Sequence, residues 1–153
     1  MKKTALIILG TLAAIAAGAF PAMSAAHGGV LATAMKNPLL VKGSTRVAIV
    51  HLQKGCHSWS LGKGAPATGV KAVLKPGQRL TVVNQDLDAH KLVRLTGPKI
   101  ALGKPLSMND RVTVTFKTPG VYKLHLHQIE MPGMPEVETT GRDHFLAMVV
   151  VVR

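Results

Sequence analysis

From Thr45 onward the chain is a series of short runs of β-branched and apolar residues, most of them cut off by glycine or proline. Thr45–Leu52, Val70–Leu74, Arg79–Asn84, His90–Leu95, Arg111–Phe116, Val121–His127 and Phe145–Val152 read as strands. Pro76-Gly77, Gly97-Pro98 and Pro119-Gly120 supply turns between them, and 55–69 reads as a loop holding Cys56, His57 and Trp59. No internal repeat interrupts this series, and no run has the period of an amphipathic helix. Short strands with turn signals about every ten residues argue for an all-β sandwich.

The segment before Thr45 is of another kind. Met1-Lys2-Lys3 is followed by an apolar run to Phe20 and small residues at 22–26. This is the pattern of a secretory signal peptide, expected over residues 1–26, and it implies a periplasmic or secreted protein. The apolar run is short for a membrane span, so no transmembrane segment is expected after cleavage, with an uncleaved anchor as the alternative. Residues 27–44, with Gly28-Gly29 and Pro38, read as an irregular lead-in, and 45–153 as the folded domain. Cleavage after Ser24 would leave Ala25-Ala26-His27, a terminus able to wrap Cu(II) in a square plane; an unoccupied, disordered terminus is the simpler expectation.

Chemistry enters through histidine, methionine and the single cysteine. In a strand at 121–127, His125 and His127 share one face, about 7 Å apart. Tyr122, Leu124 and Leu126 take the other face, which places the histidine pair away from the core. Met131 and Met134, on either side of a Pro-Gly step, follow. Imidazole and thioether donors together suit copper. Cys56 is the only cysteine, so it forms no internal disulfide; it is expected either as a buried small side chain or as a metal thiolate beside His57. Zinc would accept the same Cys/His donors.

Three stretches resemble the cupredoxin superfamily. Lys75-Pro-Gly-Gln-Arg-Leu-Thr-Val-Val-Asn-Gln-Asp-Leu-Asp-Ala-His90 is similar to its "Pro-Gly, strand, Asn-x-Asp, His" signature. Phe116-Lys-Thr-Pro-Gly-Val-Tyr122 is similar to its turn before the ligand-bearing strand, and Phe145–Val152 to its last core strand. The resemblance implies a Greek-key β-sandwich with copper at one end and His90 as the first ligand. It also marks a departure, because Leu126 stands where a blue-copper protein has its cysteine. Cys56 could supply a thiolate from elsewhere in the fold. Alternatively, His125 and His127 could act like the His-x-His pairs of multicopper oxidases, although one domain with one such pair does not make an oxidase.

The metal candidates are therefore His90, Cys56, His57, His127, His125, Met131 and Met134, with copper as the expected cofactor. Other function classes fit less well. The net charge of +12 comes from singly placed cations without interleaved aromatics, so nucleic-acid binding is not expected. Without Lys2 and Lys3 the basic residues fall from 19 to 17 against 7 acids, leaving +10, a field that favours an acidic redox or copper-transfer partner. No nucleophile is paired with an oriented base, so an enzyme is not expected. The expectation is an exported copper-binding protein in copper handling or electron transfer. Its rival is a metal-free β-sandwich that meets an envelope or protein partner through its basic surface.

Overall fold

The computed structural model describes residues 33–52, 56–129, 137–139 and 145–153. Ten strands follow in chain order: β1 Leu39–Lys42, β2 Thr45–Leu52, β3 Cys56–Ser60, β4 Gly69–Leu74, β5 Arg79–Asn84, β6 Ala89–Thr96, β7 Arg111–Thr115, β8 Gly120–Ile129, β9 Val137–Glu138 and β10 Ala147–Val152. They form two mixed sheets. One runs β1-β4-β10-β8-β6, with β9 also paired to β8; the other runs β3-β2-β5-β7.

The period of two in the sequence decides which side chains lie between the sheets. Val47 and Ile49 of β2, Leu80 and Val82 of β5, and Tyr122, Leu124 and Leu126 of β8 are all buried there. Trp59, fully buried, joins them from β3, and Phe116 meets Tyr122 edge-to-face with centroids 5.1 Å apart. The Tyr122 hydroxyl donates to the Thr118 carbonyl at 2.7 Å, which pins the turn before β8. Pro76-Gly77 forms the expected tight turn: the Gln78 amide donates to the Lys75 carbonyl at 3.0 Å, and Gly77 takes φ +86°. A residue with a Cβ is strained in that backbone region.

Two stretches differ from the sequence reading. Part of the 55–69 loop is β3, paired antiparallel with β2 so that His51 faces His57 and Ile49 faces Trp59. Cys-His-Ser-Trp-Ser contains no β-branched residue, so its strand character comes from the neighbour it pairs with rather than from propensity. Part of the irregular lead-in is β1, which runs parallel to β4, with Leu39 opposite Val70. Four residues are too few to display a period.

One end of the outer face of the larger sheet is also covered. Ala34, Phe145 and Ala147, with Met35 and Val149, form a second apolar cluster. Gly69 permits this covering, because a Cβ there would lie 2.3 Å from the Ala34 carbonyl oxygen.

Candidate metal centre

One end of the sandwich gathers polar side chains between the sheets. His51 follows Val47 and Ile49 on the inward face of β2, and His57 faces it across the β2–β3 ladder. From the opposite sheet, β6 turns His90 inward beside Leu92, with Gln128 of β8 opposite His90. His57 and His90 are buried, at 2% and 0% exposure. Their rings lie edge-on at 5.0 Å, and the His51 and His57 rings at 5.2 Å.

The link between the sheets is Asp86, in the connection from β5 to β6. Asn84, at the end of β5, shapes that connection. Its side-chain amide donates to the carbonyls of Asp88 at 2.7 Å and Leu106 at 2.9 Å, while its Oδ1 accepts from the Asp86 amide at 2.9 Å. The Asp88 amide in turn reaches Asp86 Oδ1 at 3.3 Å. The curled backbone directs the Asp86 carboxylate into the gap between the sheets, where it is 1% exposed.

Asp86 Oδ2 accepts from His57 Nδ1 and, at 3.3 Å, from His90 Nε2. His51 Nδ1 lies 3.4 Å from Asp86 Oδ1. His90 Nδ1 is engaged as well, 3.1 Å from the hydroxyl of buried Thr139. A carboxylate only accepts, so His57 Nδ1 carries a proton. Its Nε2 then faces Asp88 Oδ2 across 4.0 Å. Gln128 Nε2 donates to that same Asp88 oxygen at 2.9 Å.

Burial and charge act on these groups in opposite directions. Burial pushes the Asp86 carboxyl up, but the hydrogen bond from His57, the Asp88 amide, the His57 charge and the bond from His90 together hold it below its ordinary range. The His90 imidazole is pushed down by burial first and by the neighbouring His57 second; Asp86 and Asp88 only partly oppose this. The cluster therefore holds an ionised carboxylate next to a neutral imidazole, both protonation states that bind metal.

Ligand atoms of His51, His57, Asp86 and Asp88 all lie within 4.8 Å of one another. Metal–nitrogen and metal–oxygen bonds of about 2.1 Å place two ligand atoms at most about 4.2 Å apart. The 4.0 Å between His57 Nε2 and Asp88 Oδ2 falls inside that limit, and the set as a whole is slightly more open. Imidazole with carboxylate suits Cu(II) and zinc better than it suits Cu(I). The side chains of His51 and Asp88 are 44% and 39% exposed, which gives the otherwise buried cluster a route to solvent.

Of the residues singled out in the sequence, His57 and His90 come together here. Cys56 is next to His57 in β3, so strand alternation turns it to the other side, and the four-residue group does not include it. His125 and His127 share a face, as their spacing requires, with ring centroids 4.5 Å apart. That face is the outer one, across β8 from His90, and Phe145 covers His125 at 5.7 Å. Met131 and Met134 lie outside the described residues, as does His27.

The sequence reading passed over His51, Asp86 and Asp88 as ligands. Their signals were present: His51 continues the inward period of Val47 and Ile49, and Asn84-x-Asp86-x-Asp88 closes a strand. Placing them together required β3, which the composition hid.

No protein-family model matches the sequence. No curated protein matches it either. Among solved structures, a purple cupredoxin from Nitrosopumilus maritimus is 16% identical, with 71% of this chain and 99% of that one covered and a TM-score of 0.42. A reduced amicyanin variant is 18% identical over 72% of this chain and 83% of that one, with a TM-score of 0.41. A multicopper oxidase of Aquifex aeolicus is 13% identical over 76% of this chain, with a TM-score of 0.43, and this chain spans 28% of that oxidase. At these identities and TM-scores the likenesses say nothing about the site, which rests on its own residues.

Proposed function

We propose that this is an exported copper-binding protein that handles Cu(II) at the cluster around Asp86. The observation that carries the reading is the convergence of His57 and His90, from opposite sheets, on one buried carboxylate oxygen, with half-exposed His51 and Asp88 at the rim. His57, His51, Asp86 and Asp88 would hold the ion, with His90 positioned beside them. Bound copper would supply a Lewis-acid centre able to change oxidation state by one electron.

The protein's own contribution is preorganisation. Asn84 fixes the loop that presents Asp86, Thr139 fixes the His90 ring, and Gln128 steadies the Asp88 carboxylate. Groups that orient ligands in this way tune metal sites as much as the ligands do. Copper handling is favoured over fast electron transfer, because the cluster offers nitrogen and oxygen rather than thiolate and thioether. Zinc is the competing ion for such donors.

The signal-like leader supports export, and the basic surface supports an acidic copper-transfer or redox partner. The test is titration of the mature protein with Cu(II) and with Zn(II), read by paramagnetic resonance and calorimetry. One stoichiometric Cu(II) site, lost in His57→Ala and retained in a His125→Ala/His127→Ala variant, is the expected result. Weak binding at several sites, indifferent to His57→Ala, would overturn it.

One observation favours a second reading. Asp86 already receives His57, His90 and the Asp88 amide, so the cluster is satisfied as a polar plug without any ion. In that reading the sandwich is metal-free and acts through its basic surface. The same titration separates the two.

A further inference from the structure

The outer face of the smaller sheet has a chemistry of its own. Strand alternation places Arg46 of β2, Thr81 of β5 and Thr113 of β7 in one row across the sheet. The hydroxyls of Thr81 and Thr113 touch at 2.9 Å. A surface cleft of about 400 Å³ lies over this row, lined by Arg46, Arg79, Thr81 and Thr113 with Ser44 and Thr45. A second cleft, of about 470 Å³, adjoins it through Thr113 and is lined by Lys99 and Lys117 with further threonines. Among the described residues, neither cleft is lined by a carboxylate.

The two clefts share Thr113, and the groove they outline has arginines at one end and lysines at the other, with hydroxyls in both and Ile100, Ala101 and Tyr122 at the lysine end. We propose that this groove is the docking site for an extended acidic segment of a protein partner. Arginine forks grip carboxylates through two parallel hydrogen bonds, and lysine adds a less directional charge. Hydroxyl groups between them can donate to further side-chain or backbone oxygens. An extended acidic chain brings spaced carboxylates to both ends at once, the charge complement of a lining without acids.

The position of the groove decides what docking there does. Arg46 is near the start of β2 and His51 near its end, about 17 Å apart at the rise of a strand. Lys117 lies just beyond the end of β7, whereas Asp110, just before its start, meets Asn84 at the metal end. A partner seated in the groove leaves His51 and Asp88 open. The groove is therefore a tether and not the surface through which copper passes. This inference takes up the acidic partner of the preceding section but does not depend on copper.

The experiment measures binding of a fluorescent octaglutamate peptide to the whole mature protein by anisotropy, at low and moderate salt. Arg46→Ala/Arg79→Ala and Lys99→Ala/Lys117→Ala are each expected to weaken binding about tenfold or more. The charge-matched Lys36→Ala/Lys71→Ala control, altered outside the groove, is expected to stay within about twofold. Arg46→Lys/Arg79→Lys keeps the charge without the forks and is expected to fall between. Cu(II) titration should be unchanged in all four. Equal weakening in groove and control variants would reduce the effect to net charge and overturn the proposal. Binding to phosphatidylglycerol vesicles but not to the peptide would overturn it in favour of a membrane. Failure of the unaltered protein to bind the peptide would overturn it outright.

Discussion

His57 and His90 belong to different sheets, yet both donate to one oxygen of Asp86. That shared acceptor joins the two halves of the sandwich at its polar end, as Trp59, Phe116 and Tyr122 join them in the core. It makes the cluster at once a structural link and a set of groups able to hold a metal ion.

Removing the link should be expensive even without copper. Asp86→Ala leaves His57 and His90 buried without their acceptor, and each buried donor left unpaired costs about 1–3 kcal/mol. Urea denaturation of the copper-free protein should show this as a lower midpoint. A loss under about 0.5 kcal/mol, the scale of an ordinary surface change, would mean that Asp86 does not join the sheets.

Acid should weaken the copper-free protein in two steps of the same sign. His90 is held below its ordinary 6.5, so as pH falls past 6.5 the unfolded chain takes up a proton that the folded one refuses, and stability declines. Asp86 is held below its ordinary 3.8, so its contribution, full above that value, is lost as pH falls further, through the lowered folded pKa. Thermal melts from pH 8 to pH 3 should move downward throughout. His90→Gln should flatten the upper step, and an unchanged upper step in that variant would assign it elsewhere.

Cys56 should not colour the protein. Its neighbour His57 points to the cluster, and alternation turns Cys56 away. Copper-loaded protein should show only weak visible bands, with Cys56→Ser indistinguishable from the parent. An intense charge-transfer band that disappears in Cys56→Ser would restore the thiolate expected from the sequence as one option.

Thr139 should act through His90. Thr139→Val keeps the shape and removes the hydroxyl that meets His90 Nδ1. Loss of a partner that orients a ligand lowers metal affinity about tenfold or more; Thr139 orients His90, which stands beside the ligands, so a smaller loss is expected. Competition with a chelator measures it, and an affinity unchanged by the substitution would remove Thr139 from the site.

The strands were legible where β-branched residues alternate: Arg79–Asn84, Arg111–Thr115 and the last apolar run all lie where their patterns place them. β3 was not, because Cys56–Ser60 has no β-branched residue, only Trp59 among strand-favouring side chains, and depends on β2 to be ordered. That omission hid half of the cluster, since His51 and His57 meet only across the β2–β3 ladder. The inward turn of His90 could be read from its place before Leu92. The role of Asp86 could not, because its direction is set by the Asn84 side chain, a contact local in sequence but invisible to periodicity. The prominent His125-x-His127 pair showed the reverse: its spacing gave the shared face correctly, while the opposite face of the same strand looks toward His90.

The most direct measurement is the nitrogen hyperfine pattern of Cu(II) bound at one equivalent to the mature protein, compared across single histidine variants. The account expects at least two imidazole nitrogens, with one lost in His57→Ala, the site distorted in His90→Ala, and no change in His125→Ala or His127→Ala. A signal that survives His57→Ala and disappears with His125→Ala or His127→Ala would place the copper on the outer face of the sandwich and contradict it.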